Sequence, residues 1–271
     1  MKFLVWDTSS TVGCVCAAES DSSGRGFVRV IAECTFGAEA AHSERLAATI
    51  HWALGQARWS LDDLDWFGTT VGPGSFTGVR IGLATARAFA FATKKPLIGV
   101  SSLAVRARPV VLALEAGRDR TRGRVVIGVA MDACKGELYG LMGTTTSLRS
   151  IAAFSEGPGR SRDRGVIERL FTPESFSKVF LRKFSQSGSE ARWVLVGDAV
   201  EKTSGAWKFP PPSKRLPIEG TGLTEPAGRY VAQVAWEAFQ TSGGTDWSRV
   251  QPRYYRESDA ERKRLQKRIQ L

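Results

Sequence analysis

The chain is poor in histidine: among 271 residues there are two, His42 and His51. No H-E-x-x-H motif or other local two-histidine metal pair is therefore present. His42 adjoins only Ser43, which reads as a helix N-cap, so a Ser-His-Asp triad would have to be built by tertiary contacts. Cysteine is sparse as well. Cys14, Cys16, Cys34 and Cys134 include a C-x-C but no C-x-x-C pair, which favours buried free thiols over zinc or disulfides. No run of about 18 apolar residues occurs, so no segment reads as a membrane span. The apolar run Phe3–Trp6 meets Asp7 too early for a secretory core. The expectation is a cytoplasmic protein.

Strict nucleotide glycine motifs are missing too. In Gly72-Pro73-Gly74-Ser75-Phe76-Thr77-Gly78-Val79 the P-loop spacing fails, because Thr77 stands five residues after Gly72 and Val79 follows Gly78 where lysine is needed. The dinucleotide fingerprint fails because its third glycine arrives one residue late. The stretch reads first as a tight bend joining a strand, Trp66 to Val71, to a helix running from Phe76 or Thr77 to Thr93. Its N–H groups at the helix start can also hold an anion. Along that helix Gly78, Gly82, Ala86 and Ala90 recur every four residues and form a row without side-chain bulk. Either the protein's own core or another chain can approach closely there.

Acidic residues are outnumbered: 38 Lys and Arg against 27 Asp and Glu give a net charge of +11 and a pI of about 9.9. Such a balance favours contact with something acidic. The arginines cluster at Arg106, Arg108, Arg118, Arg120, Arg122 and Arg124, then at Arg160, Arg162, Arg164 and Arg169. A basic run, Arg262, Lys263, Arg264, Lys267 and Arg268, follows near the C-terminus. No aromatic residues interleave with them as in an RNA-recognition signature, so they read as solvated loops and tail.

Residues 2–6, 12–18 and 27–33 read as an antiparallel meander whose first turn, Asp7-Thr8-Ser9-Ser10-Thr11, is rich in hydroxyls. Such a turn can present hydroxyls and N–H groups to a phosphate while the carboxylate holds magnesium. It is equally an ordinary hairpin turn. A helix over about 43–55 follows, with a stripe of Leu46, Ile50, Ala53 and Leu54 and an opposite side of Arg45, Thr49, Trp52 and Gln56. After the central helix come a strand at 96–100, a helical segment at 104–115 and a strand at 125–131. The turn Asp132-Ala133-Cys134-Lys135-Gly136-Glu137 then leads into a strand over 138–142. The second half thus opens as the first does, pointing to two related lobes with mixed sheets and packed helices. Residues 143–192 are the least regular, with a helix start at Thr172. A strand at 193–197 and a last helix over about 225–240, capped by Thr224 with Pro226 near its first turn, complete the pattern.

Five segments together resemble one family. They are Val5-Trp6-Asp7-Thr8-Ser9, His42-Ser43-Glu44-Arg45-Leu46, Val71 to Gly82, Gly99-Val100-Ser101-Ser102-Leu103, and Asp132 to Tyr139. In that order they resemble the TsaB (YeaZ) family of tRNA threonylcarbamoyladenosine biosynthesis. Pro252-Arg253-Tyr254-Tyr255-Arg256 is more loosely similar to its C-terminal segment. The resemblance implies an α/β, two-lobe actin-like fold of the ASKHA, ribonuclease H-like class, with mixed sheets flanked by helices. Residues 1–104 would form an N-terminal lobe with docking helices. Residues 105–271 would form a C-terminal lobe whose last helix packs back on the first lobe.

It further implies a chain that is not catalytic alone. In the related catalytic subunit, TsaD, a histidine pair four residues apart holds the metal, whereas here Leu46 stands four after His42. A TsaB-like chain instead docks on TsaD alongside the ATPase TsaE, reaches tRNA through the complex, and forms a homodimer when alone. The implied interface residues are Arg45, Thr49, Trp52, Gly78, Arg80, Gly82, Ala86, Arg87 and Ala90. Asp7, Thr8, Ser9 and Asp132 would form any nucleotide site, for ATP or ADP with magnesium at a complex interface, and no metal ligand or required cofactor is expected. Gly197-Asp198-Ala199 resembles a degraded nucleotide-lobe motif, and residues 143–222 carry no family signature. Two other readings stand beside this one. One is an actin-like ATPase or kinase using Asp7, Thr8, Ser9 and Asp132; the other is a metalloprotease-like peptidase, for which metal ligands are lacking.

Overall fold

The structure is a computed structural model describing residues 1–20, 28–37, 42–116, 124–149, 165–202, 208, 210–211, 215 and 227–255. Its first sheet contains β1 (Lys2–Asp7), β2 (Val12–Ser20), β3 (Val28–Gly37), β4 (Trp66–Thr70) and β5 (Leu97–Val100), in the order β3-β2-β1-β4-β5. Strands β1, β2 and β3 are antiparallel neighbours, whereas β4 and β5 add in parallel. The strand β1 is a continuous apolar run because both of its faces are covered. Leu4 and Trp6 point to α1 (His42–Ala57) and α2 (Phe76–Thr93), with Leu46, Ile50, Ala53 and Leu83. Phe3 and Val5 point the other way, into the core shared with α3 (Ser102–Ala116) and α7 (Gly228–Ser242).

The second sheet repeats the layout. It is built from β6 (Val125–Asp132), β7 (Leu138–Thr144), β8 (Ile167–Phe171) and β9 (Arg192–Val196), in the order β8-β7-β6-β9. Again the first three strands in sequence are antiparallel and the next one adds in parallel. Short α4 (Thr145–Arg149) and α6 (Ala199–Lys202) flank α5 (Pro173–Ser185) in sequence. Thr172 caps α5, its hydroxyl accepting from Ser175 N at 3.3 Å. Helix α7 lies on the first sheet: Phe239 stacks on Trp66 at 4.9 Å, and Trp66 stacks on Phe3 at 4.1 Å.

Several elements depart from the sequence pattern. Arg106 and Arg108, read as part of a solvated basic stretch, are 3% and 4% exposed inside α3. Each is drawn in by a carboxylate: Arg106 faces Asp7, and Arg108 pairs with Glu237 of α7. Helix α3 also runs across the lobe boundary placed at residue 104. Strand β8 lies within the stretch read as irregular. Helix α7 begins at Gly228, and the expected cap at Thr224 and Pro226 lies outside the described residues, as do Arg118, Arg120, Arg122, Arg160, Arg162, Arg164 and the basic run 262–268. Cys14 and Cys16 are buried free thiols on one face of β2, whereas Cys134 is exposed. Among the described residues no helix is long and apolar enough to cross a membrane.

Candidate functional site

The bend after β4 is held from three sides. Val71 N donates to Val100 O at 2.9 Å, Gly72 O accepts from Ser102 N at 3.0 Å, and Ser75 N donates to Ser9 O at 2.7 Å. Gly72 has φ +100, and a Cβ there would meet Arg253 O at 2.8 Å, so conformation and crowding both call for glycine. The Ser75 hydroxyl then accepts from Gly78 N at 3.2 Å and starts α2.

The row of small residues on α2 faces inward. Gly78, Gly82, Ala86 and Ala90 are all buried against their own sheet. A Cβ on Gly78 would lie 1.9 Å from Thr8 O, and one on Gly82 would lie 2.3 Å from Thr8 Oγ1. These four residues are therefore not surface for a partner, a correction to the interface set. The cause is the first turn of the chain, whose Thr8 backbone fills the groove, with the Thr8 hydroxyl donating to Gly78 O at 2.7 Å. Thr49 is buried as well, and its hydroxyl donates to Arg45 O at 2.7 Å. Arg87 is half-buried and donates to Val250 O. Of the remaining set, Arg45, Trp52 and Arg80 are exposed. The exposed side of α2 is a second small stripe, Ala84, Ala88 and Ala92, beside Phe91, which is 54% exposed. On α1 the exposed residues include Ala48 and Trp52, the latter 43% exposed. The spacing of four hides two rows on this helix, and only burial distinguishes them.

The nucleotide set is divided between the lobes. Asp7 is fully buried, and its Oδ1 accepts from Ser9 N at 2.7 Å and from Thr70 Oγ1 at 2.6 Å. Its Oδ2 faces Arg106 Nη1 at 3.8 Å. Arg106 thus supplies the cation beside this carboxylate, and the Thr8 hydroxyl is already donated to Gly78 O. Asp132, on β6, accepts from Lys202 Nζ at 2.8 Å and from Cys134 N at 2.8 Å. The Lys202 bond, followed by the Cys134 N–H, holds its carboxyl below the usual range against a smaller rise from burial. Lys202 also faces Asp198 at 4.0 Å. Among the described residues no three His, Cys, Asp or Glu side chains gather as a metal set.

Sequence reasoning missed a third group, which joins the lobes. Glu168 of β8, its side chain 4% exposed, accepts through Oε1 from Ser101 Oγ at 2.9 Å and from Tyr255 OH at 3.0 Å, and it faces Arg253 at 4.0 Å. Burial raises its carboxyl above the usual range, outweighing Arg253, Ser101 and Tyr255, which lower it. Nothing in the local sequence Ile-Glu-Arg-Leu-Phe marks this glutamate; the signal lay in Arg253 and Tyr255, which the loose C-terminal similarity had picked out.

An antiparallel meander extended by parallel strands, present twice around shared helices, defines the two-lobe, ribonuclease H-like or actin-like class of α/β proteins. Within that class, the family model described as "TsaD: tRNA N6-adenosine threonylcarbamoyltransferase" matches residues 36–159, less than half of the chain. A Clostridium botulinum tRNA N6-adenosine threonylcarbamoyltransferase is 45% identical over 62 residues, 23% of this chain and 18% of that protein. The Escherichia coli K12 tRNA threonylcarbamoyladenosine biosynthesis protein TsaB is 36% identical over 98 residues, 36% of this chain and 39% of that one. The chain thus spans well under half the length of these relatives. The solved structure of YeaZ from Pseudomonas aeruginosa superposes with a TM-score of 0.68 over 93% of this chain and 99% of that chain, at 22% identity. The chain is accordingly similar to the TsaB (YeaZ) family, in sequence over about a third of its length and in fold over nearly all of it.

Proposed function

We propose that this chain is a non-catalytic partner and activator subunit for a TsaD-like enzyme that makes threonylcarbamoyladenosine in tRNA. Support comes from the activities of the relatives and from one observation above all: the outer side of α1 and α2 exposes Ala48, Trp52, Ala84, Ala88, Phe91 and Ala92. Small side chains let a partner helix approach closely, while Trp52 and Phe91 supply apolar area at the margin. The inward row cannot serve this purpose, so docking uses the opposite side of α2. The same face takes a second copy when the chain is alone. A TsaE-like ATPase and tRNA meet the complex rather than this chain's buried carboxylates.

Against the ATPase or kinase reading, Asp7 and Asp132 each already face a cation of this chain. Deleting the gene and quantifying the modified adenosine in tRNA tests the proposal. Loss of the modification, restored by the wild-type chain and by Asp7→Asn at matched protein level, is the expected result. Unchanged modification in the deletion strain would contradict it.

A further inference from the structure

The segment after α7, from Gly243 to Tyr255, is bound to the first lobe along its length. Thr245 pairs with Leu97 of β5, and Trp247 meets Phe91 edge-on at 5.3 Å. Arg87 of α2 donates to Val250 O, and Arg253 N donates to Val71 O at 2.7 Å. Tyr254 OH accepts from Arg80 Nε at 2.8 Å, and its ring lies 5.1 Å from Phe76. The strap thus touches α2 near its start, its middle and its end. The next residue turns to the other lobe: Tyr255 OH donates to Glu168 on β8 at 3.0 Å. Ser101, just before α3, donates to the same oxygen.

We infer that Glu168 anchors a C-terminal strap that couples the second lobe to α2, so that loss of the Glu168 contact loosens residues 246–255 on the helix. Tyr254 and Tyr255 are consecutive, yet one is bound to α2 and the other to β8. A shift of β8 relative to α2 must therefore strain one of the two contacts. Phe91 and Arg80, which border the exposed α2 stripe, are positioned by this strap. The inference deepens the docking proposal and rests on it only where partner binding is concerned. Glu168 is a positioning residue in this scheme, since it acts through the strap.

Hydrogen exchange of the full-length chain, followed peptide by peptide, tests the coupling. Tyr255→Phe keeps the ring that packs near Tyr139 and removes one hydrogen bond to a carboxylate. Exchange in peptides covering 246–255 and the start of α2 should rise by about tenfold or more, while β6 and α5 keep wild-type protection. Glu168→Ala should produce the same pattern, and Glu168→Gln, which keeps an acceptor oxygen, should restore much of the protection. Wild-type exchange in the strap of Tyr255→Phe would overturn the inference. So would a rise spread uniformly over the chain, because Glu168 would then be general packing rather than an anchor. Ala88→Trp, on the exposed stripe, separates the two ideas. If it captures a TsaD-like partner as well as wild type does, the docking proposal fails, while the exchange pattern still decides the strap.

Discussion

Gly78 lies so close to Thr8 that the Thr8 carbonyl occupies the space a β-carbon would need, 1.9 Å away. This contact fixes how α2 sits on β1, and so which side of the helix is left outside. Gly78→Ala must move backbone against backbone and should destabilise the fold by at least roughly 1–3 kcal/mol. Gly55, near the end of α1, has open space around its would-be Cβ. Gly55→Ala should be neutral or stabilise by about 0.5–1 kcal/mol, as for glycine in a helix interior. Urea denaturation of both variants checks the contrast, and equal effects would contradict it.

The two stripes on α2 should respond in opposite ways to bulk. Ala86 is fully buried, so Ala86→Trp should lower the melting temperature sharply or prevent folding. Ala88 is exposed, and Ala88→Trp should melt within a few degrees of wild type. A stable Ala86→Trp protein would mean that the inward row is not packed as described.

Asp7 and Arg106 form a buried, loosely spaced pair, which makes removal of one partner costlier than removal of both. Arg106→Met should destabilise by roughly 3–5 kcal/mol by leaving the carboxylate without its cation. Asp7→Asn combined with Arg106→Met should recover part of that loss. A double-mutant cycle by denaturation gives the coupling, and a strictly additive result would contradict a direct interaction.

Glu168 gives a pH dependence whose sign follows from its environment. Burial leads in raising its carboxyl above the ordinary value of 4.5. A raised native pKa stabilises the fold fully below the unfolded value, and this contribution is lost as pH rises through the native value. The stability of wild type relative to Glu168→Gln should therefore increase as the pH falls from neutral toward the ordinary carboxyl value. Urea titrations along this pH range measure this difference, and a constant or reversed difference would contradict the assignment.

The first lobe was legible because β1 is a continuous apolar run closed by the hydroxyl-rich turn after Asp7 and because the Val71–Gly82 run is distinctive. The strand β1 and helix α2 were read nearly residue for residue. The facing of α2 was not legible, since Gly78, Gly82, Ala86, Ala90 and Ala84, Ala88, Ala92 have the same spacing and similar size. Arg106 and Arg108 misled because charge normally marks solvent, whereas here carboxylates distant in sequence, with the Ser102 carbonyl for Arg106, make burial tolerable. Glu168 was hidden for the same reason: its partners Ser101, Arg253 and Tyr255 are 67 or more positions away in sequence.

The most direct test of the central claim is the affinity between this chain and the TsaD-like protein of the same organism, measured by calorimetry for wild type, Ala88→Trp and Arg45→Ala. Stoichiometric binding by wild type, abolished by Ala88→Trp in a protein that melts normally and little changed by Arg45→Ala at the margin, is the expected result. Equal binding by wild type and a folded Ala88→Trp, or no binding by wild type, would contradict the account.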